Sequence, residues 1–463
     1  MVLFCAFRSR FVRTLTSPVS SNRLVEIVIK IRGFGTFPNS IDPRTNTRSF
    51  SALGYLIHAP PRPNLKVLIN ATARRVLLDS PAEESMVEAR GVEFNYDGEV
   101  YTVRAKRDVI LSAGALRSCA LLELSGIGNK EIIEPLGIKT LVHNPAVGEN
   151  TQEHILNAAC WETKTKEFGL ETLDLLADPA VAGKHFELYK EGRGLFITQI
   201  NSIIWLHLAD IVPPERFAQL IAAEEAKIAE DLKDPAKNRP GLSEQYALQM
   251  KALKDSKAVN GELTLAPMCY PSPNYQPEPG RTYFTLVATV NLPFSRGSIH
   301  IKSSDPDDAT DINPNLFDHD LDREILVELH KWSRKLATTS PFKDIIVQEL
   351  APGPVVKTDD DLRGKIIPDG YRMDQVCSAN SLALALINAN VEAMSHTVGS
   401  CSMAPRDKGG VVDASLKVYG TKNLRVCDLS IIPLHISGHM QATAYAIGEQ
   451  LADILRAERD LSA

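Results

Sequence analysis

A chain of 463 residues with 44% hydrophobic and 23% charged side chains carries enough apolar mass for two or three cores, which argues against a disordered protein. Its formal net charge of −6 and pI near 6.0 offer no positive field to a phosphate backbone, so nucleic acid is set aside as a partner. Seven scattered cysteines without a C-x-x-C pair or zinc spacing argue against a disulfide scaffold or a structural metal, and no run of eighteen apolar residues is present to span a membrane.

The first residues, MVLFCAFRSRFVRTLTSPVSSNR, place a short apolar run ahead of the arginines, the reverse of a secretory signal. Arg8, Arg10, Arg13 and Arg23 without a nearby acid fit either a mitochondrial presequence or a replaced first exon. The second is favoured, and an intracellular location is expected. NLKVLINATARRVLL (64–78) and GVEFNYDGEVYTV (91–103) alternate apolar and polar residues, and Asp97-Gly98 stands where a hairpin would turn. RDVILSAGA (107–115) reads as a short apolar strand ending in a small-residue turn, and SCALLELSG (118–126) as a helix closed by glycine. Residues 155–265 read as mainly helical, with apolar residues three and four apart in ERFAQLIAAEEAKIAEDL and LSEQYALQMKAL. YFTLVATVNLPFSRGSIHI (283–301) predicts two strands of a second domain around Arg296-Gly297, and LDREILVELHKWSRKLATT (321–339) a helix beside them. NLRVCDLSIIP (423–433) predicts a strand and ATAYAIGEQLADILRA (442–457) a closing helix.

Two stretches carry chemistry. Gly114-Ala-Leu-Arg-Ser-Cys-Ala-Leu-Leu-Glu-Leu-Ser-Gly-Ile-Gly128 puts small residues at a strand-to-helix turn, where backbone amides can approach a bound dinucleotide closely. His396-Thr-Val-Gly-Ser-Cys-Ser-Met403, Gly409-Gly-Val-Val-Asp413, Asn423-Leu-Arg-Val-Cys-Asp428 and Ser437-Gly-His439-Met-Gln-Ala442 follow in order within residues 396–442. In order and spacing these segments resemble the glucose-methanol-choline (GMC) oxidoreductases, with Cys119 standing where the family usually has Pro or Ser. Ile41 to Ala52, Pro145 to His154 and Ser295 to Ile301 are similar to family segments too, although Thr151 and Glu153 replace the more usual Leu and Asp. The resemblance covers roughly residues 35–460.

The resemblance implies an α+β / α/β protein: an incomplete FAD-binding, Rossmann-like domain from 35–154 and 395–463, and a substrate domain with an antiparallel sheet and helices from 155–394. Residues 1–34 form an atypical leading segment. It implies oxidation of a CH–OH group of a small-molecule alcohol, with FAD as cofactor. His396 would be the base and His439 the substrate binder, since a neutral imidazole suits proton abstraction at working pH. Gly114, Ala115, Asp428, Ala442 and Thr443 would lie along the flavin, and Val76 would meet the adenine through its backbone. From its residues alone, Asp428 reads equally as a cap or turn residue. His143, His154, His300, His330 and His435 are taken as structural or exposed. No metal is expected, and a homo-oligomer is left open.

One family feature is missing from these residues. No G-x-G-x-x-G occurs: Gly33-Phe-Gly35 lacks the third glycine and Gly126-Ile-Gly128 belongs to another motif. Three explanations stand: a truncated flavin-dependent oxidoreductase, a flavin-free acid–base catalyst (isomerase, dehydratase or cyclase) of specialised metabolism, or a non-catalytic remnant.

Overall fold

The computed structural model describes residues 33–36, 39–57, 62–79, 86–197, 200, 202–270, 277–366 and 392–458. The presequence reading falls on residues 1–23, which lie outside them.

Glu88–Tyr96 and Glu99–Arg104 form the expected hairpin, with Asp97 and Gly98 both at positive φ (52° and 81°), as a two-residue type I′ turn requires. Ala71–Asp79 adds a third strand on the other edge. Residues 64–70, read as part of that strand, carry no regular structure, and Asn70 at φ 57° breaks the extended run just before it. Val109–Leu111 pairs in parallel with Leu424–Val426, and the helices Ser118–Leu124 and Gln441–Ala457 follow these two strands in the chain. Val109, Leu111, Leu122, Ile127, Cys401, Leu424, Val426 and Leu451 make the core between them. Ser298–His300 and Asp311–Asn313 form a small antiparallel pair whose Ile299 and Ile312 enter this same core. That corrects the reading of 283–301 as two strands of one sheet: the apolar faces of Ile299 and Ile312 find their burial beside residues 76–147 instead.

The second core lies against a larger antiparallel sheet in the order Gly33–Thr36, Ser202–Leu206, Gly261–Ala266, Thr282–Val290, Ile155–Thr163, Ile346–Ala351, with Glu392–Ala393 also pairing Ile155–Thr163. Pro214–Asp231, Leu242–Lys254 and Asp320–Ala337 supply Leu220, Tyr246, Leu253, Ile325 and Leu329 to it. The helices expected within 155–265 are therefore present, but 155–163, 202–206 and 261–266 are strands. Ile155–Thr163 is buried along almost its whole length, so it shows no alternation to separate it from a buried helix. Cys119, Cys160, Cys269, Cys401 and Cys427 are buried free thiols. No helix among the described residues is long and apolar enough to cross a membrane.

Candidate active site

The register of the large sheet brings three neighbouring strands to a common end. Ile155 pairs with Val290 and Val290 with Gly261, so His154 before one strand, Asn291 after the next and Glu262 within the third come together. Two further bonds carry His396 to the same place: the Met394 amide donates to the His154 carbonyl, and Gln152 and Val398 exchange backbone hydrogen bonds. The loop that bears His435 and His439 is tied on by the Gln152 and Asn150 side chains, which both donate to the Pro433 carbonyl. Gly399 permits this crossing, because a Cβ there would lie 2.1 Å from the Asn150 carbonyl and its φ is +96°.

Four imidazoles result. The ring centroids of His396 and His439 are 5.3 Å apart at an interplanar angle of 67°, so the two predicted site residues do meet. His396 Nδ1 lies 2.9 Å from His154 Nδ1, and His154 stacks on His435 with centroids 3.6 Å apart. His439 Nε2 donates to the Glu262 carboxylate at 3.0 Å, while Asn291 Nδ2 donates to the other Glu262 oxygen at 3.0 Å. Burial first, then the neighbouring His439, push His396 down to about 4, and burial pushes His435 down to about 3. Burial opposes ionisation of Glu262, but its bonds from His439 and Asn291 and the His439 charge outweigh it and hold the carboxyl below its ordinary value. Glu153 accepts from the His396 amide at 2.7 Å and from Thr397 Oγ1 at 2.6 Å; burial still raises it to about 7.

His154 and His435, expected to be structural or exposed, add a contact to the site that the residues alone do not show. Both are buried and hydrogen-bonded, as a structural role requires, yet they also contact the site: His154 touches the His396 ring and His435 Nε2 donates to the His396 carbonyl. Only the pairing of distant strands reveals this. His300 lies elsewhere, between Glu123 and Glu149, and His330 is buried in the second core's helix.

The residues expected along a flavin fall on the first core. Gly114 takes φ +79° with open space where a Cβ would stand, and the Ala115 carbonyl accepts from Ser400 Oγ. Asp428 receives four donors: Gly114 N at 3.0 Å, Ser118 Oγ at 2.5 Å, and the amide and hydroxyl of Ser430 at 2.9 and 2.5 Å. It thus caps one turn and clamps another. Ala442 and Thr443 open a helix that has no side-chain cap, so first-turn amides and the positive end of the dipole are left without a capping side chain. The Val76 amide is already given to Ser125 Oγ at 2.8 Å.

Two family profiles described as GMC oxidoreductase match residues 30–156 and 293–448. The chain belongs to the GMC oxidoreductase family. A GMC oxidoreductase family protein of Malassezia sympodialis is 32% identical over 422 residues, which is 90% of this chain and 60% of that one. Among solved structures, an FAD-dependent oxidoreductase from Chaetomium thermophilum shares the fold with a TM-score of 0.77 at 24% identity, covering 93% of this chain and 68% of that one. A fungal aryl-alcohol oxidase superposes with a TM-score of 0.75 at 25% identity, over 92% of this chain and 67% of the other. The chain thus spans about 60% of the length of the curated relative. Within this GMC chain, the two imidazoles, the open turn at Gly114 and the uncapped helix at Ala442 suit the ring side of a flavin. Its sequence contains no G-x-G-x-x-G motif for the phosphate side.

Proposed function

We propose that this chain acts as a GMC-type, FAD-dependent oxidoreductase on the CH–OH group of a small-molecule alcohol, with His396 as base and His439 as substrate binder. The observation that carries the reading is the convergence of the two rings at 5.3 Å beside Glu262. With its pKa lowered to about 4, His396 is neutral at working pH and accepts the hydroxyl proton of a bound alcohol. His439 is held by its Nε2 hydrogen bond to Glu262, and it orients the alcohol oxygen. The second oxygen of Glu262 is satisfied by Asn291, which keeps the carboxylate from turning away.

FAD, when bound, supplies the acceptor for the hydride that leaves the carbinol carbon. Gly114, Ala115, Asp428, Ala442 and Thr443 are the residues proposed to hold its ring and ribityl side, and Val76 its adenine side. Residues 35–154 and 395–463 would form the cofactor part and 155–394 the substrate part.

The test is purification of the chain with added FAD, followed by spectroscopy and turnover on a panel of primary alcohols. Flavin absorbance, together with a loss of about 10²–10⁴-fold in kcat for His396→Ala, is expected. A colourless, folded protein whose acid–base turnover depends on His396 would replace the reading with a flavin-free catalyst. A folded protein indifferent to both histidines would leave a non-catalytic remnant.

A further inference from the structure

Two of the four clustered imidazoles have no part in the proposed reaction, and one of them touches its base. His154 is 1% exposed, and its Nε2 lies 3.0 Å from two carbonyl oxygens, those of Asn291 and Ile436. Carbonyl oxygens only accept, so this Nε2 carries a proton. On the other side of the ring, His154 Nδ1 faces His396 Nδ1 at 2.9 Å, and one of these two nitrogens must donate to the other.

A second proton on His154 would create a buried imidazolium stacked 3.6 Å from His435, with His396 on its remaining side. Burial first, then His435 and His396, hold its pKa well below the ordinary value, while Glu262 and the Ile436 carbonyl pull weakly the other way. His435 is itself neutral by the same bookkeeping of donors: its Nε2 donates to the His396 carbonyl at 3.1 Å and its Nδ1 accepts from the Ile436 amide at 3.0 Å. His154 Nδ1 therefore bears a lone pair. The proton between the two rings belongs to His396 Nδ1, and a neutral His396 is left with its lone pair on Nε2. Among the described residues that Nε2 has no hydrogen-bond partner.

We propose that His154 is a positioning residue that fixes the tautomer of His396, holding Nδ1 protonated and presenting Nε2 as the proton acceptor. The Asn291 and Ile436 carbonyls set the arrangement, so it is built into the end of the sheet and into the loop before His439. The catalytic meaning of this device rests on the reading of His396 as base; the tautomer itself does not.

Ring-¹⁵N-histidine labelling of the 463-residue chain tests it, with nitrogen shifts recorded at pH 7 without alcohol and His396 assigned by the signals lost in His396→Gln. The expected spectrum gives His396 a protonated Nδ1 and an unprotonated Nε2. In His154→Phe, which removes the acceptor, the unprotonated Nε2 signal should be lost in favour of the opposite tautomer or a mixture. His154→Gln, whose carbonyl can accept from Nδ1, should restore it. A protonated Nε2 in the unmodified chain overturns the proposal even if no His154 variant folds, and so does an unchanged tautomer in folded His154→Phe. Full alcohol turnover by His396→Gln would overturn the role of His396 as base and leave the tautomer result standing, so the two failures are distinguishable.

Discussion

Raising the pH from 6 to 10 should remove a measurable share of this protein's stability at a single residue, His300. Its ring bridges two carboxylates: Nδ1 lies 2.7 Å from Glu123 Oε1 and Nε2 3.2 Å from Glu149 Oε1. Glu123 is fully buried and its second oxygen accepts from the Ile301 amide; loss of one His300 proton leaves the ring with a single N–H to share between the two carboxylates. Burial alone would lower the imidazole pKa, but the bonds and charges of Glu123 and Glu149 outweigh it and raise the group to about 9. An unfolded histidine titrates near 6.5, and one pH unit is worth about 1.36 kcal/mol, so the bridge contributes about 3 kcal/mol. The side chain is only 15% exposed, which leaves that figure little reduced by solvent screening. Because the folded value lies above the unfolded one, the contribution is complete below pH 6.5, falls between 6.5 and 9, and is gone above. Urea midpoints of the parent and His300→Gln across pH 6 to 10 measure it. The variant should be less stable at pH 6 by about 3 kcal/mol, with the two curves drawing together toward pH 10. A difference that stays flat over this range would refute the reasoning.

Asp428→Ala should cost about 2–6 kcal/mol, since the Gly114 and Ser430 amides both lose their acceptor and about 1–3 kcal/mol attends each such donor; a urea-derived change under about 0.5 kcal/mol would count against the clamp. Glu153→Gln should gain stability relative to the parent as pH rises: the raised carboxyl of the parent contributes fully below about pH 4.5 and loses that contribution as pH passes about 7. Thermal midpoints of the two proteins at pH 5 and pH 8 provide the check.

The parts of the fold that could be read from the residues were those specified locally. Asp97-Gly98 announces its own turn chemistry, and the helices at 214–231 and 242–254 show a stripe of apolar residues at helical spacing. Ile155–Thr163 does not, because both of its faces are covered and the pattern that marks a strand is erased. Ser202–Leu206 is only five residues, too short for period to decide. Within the site, His396 and His439 were visible because ordered segments surround them. His154 was not, since its place depends on the registers of Ile155 with Val290 and Val290 with Gly261, which no local pattern encodes. Asp428 was read as either a cap or a cofactor contact. Its four donors establish the first role, while the second remains the proposal made above.

The parallel pairing of Val109–Leu111 with Leu424–Val426 has a consequence for how the chain is made. Gly114 and its Asp428 acceptor stand 314 residues apart. At about 5–20 residues per second on the ribosome, the earlier strand waits on the order of 20 s or more for its neighbour to be synthesised. For that interval the core around Leu111 and Leu122 lacks Leu424, Val426 and Leu451, while the strands from 155 to 351 can already close on one another. Nascent chains arrested before residue 424 should therefore be the species that chaperones hold, and release should follow emergence of the last helix.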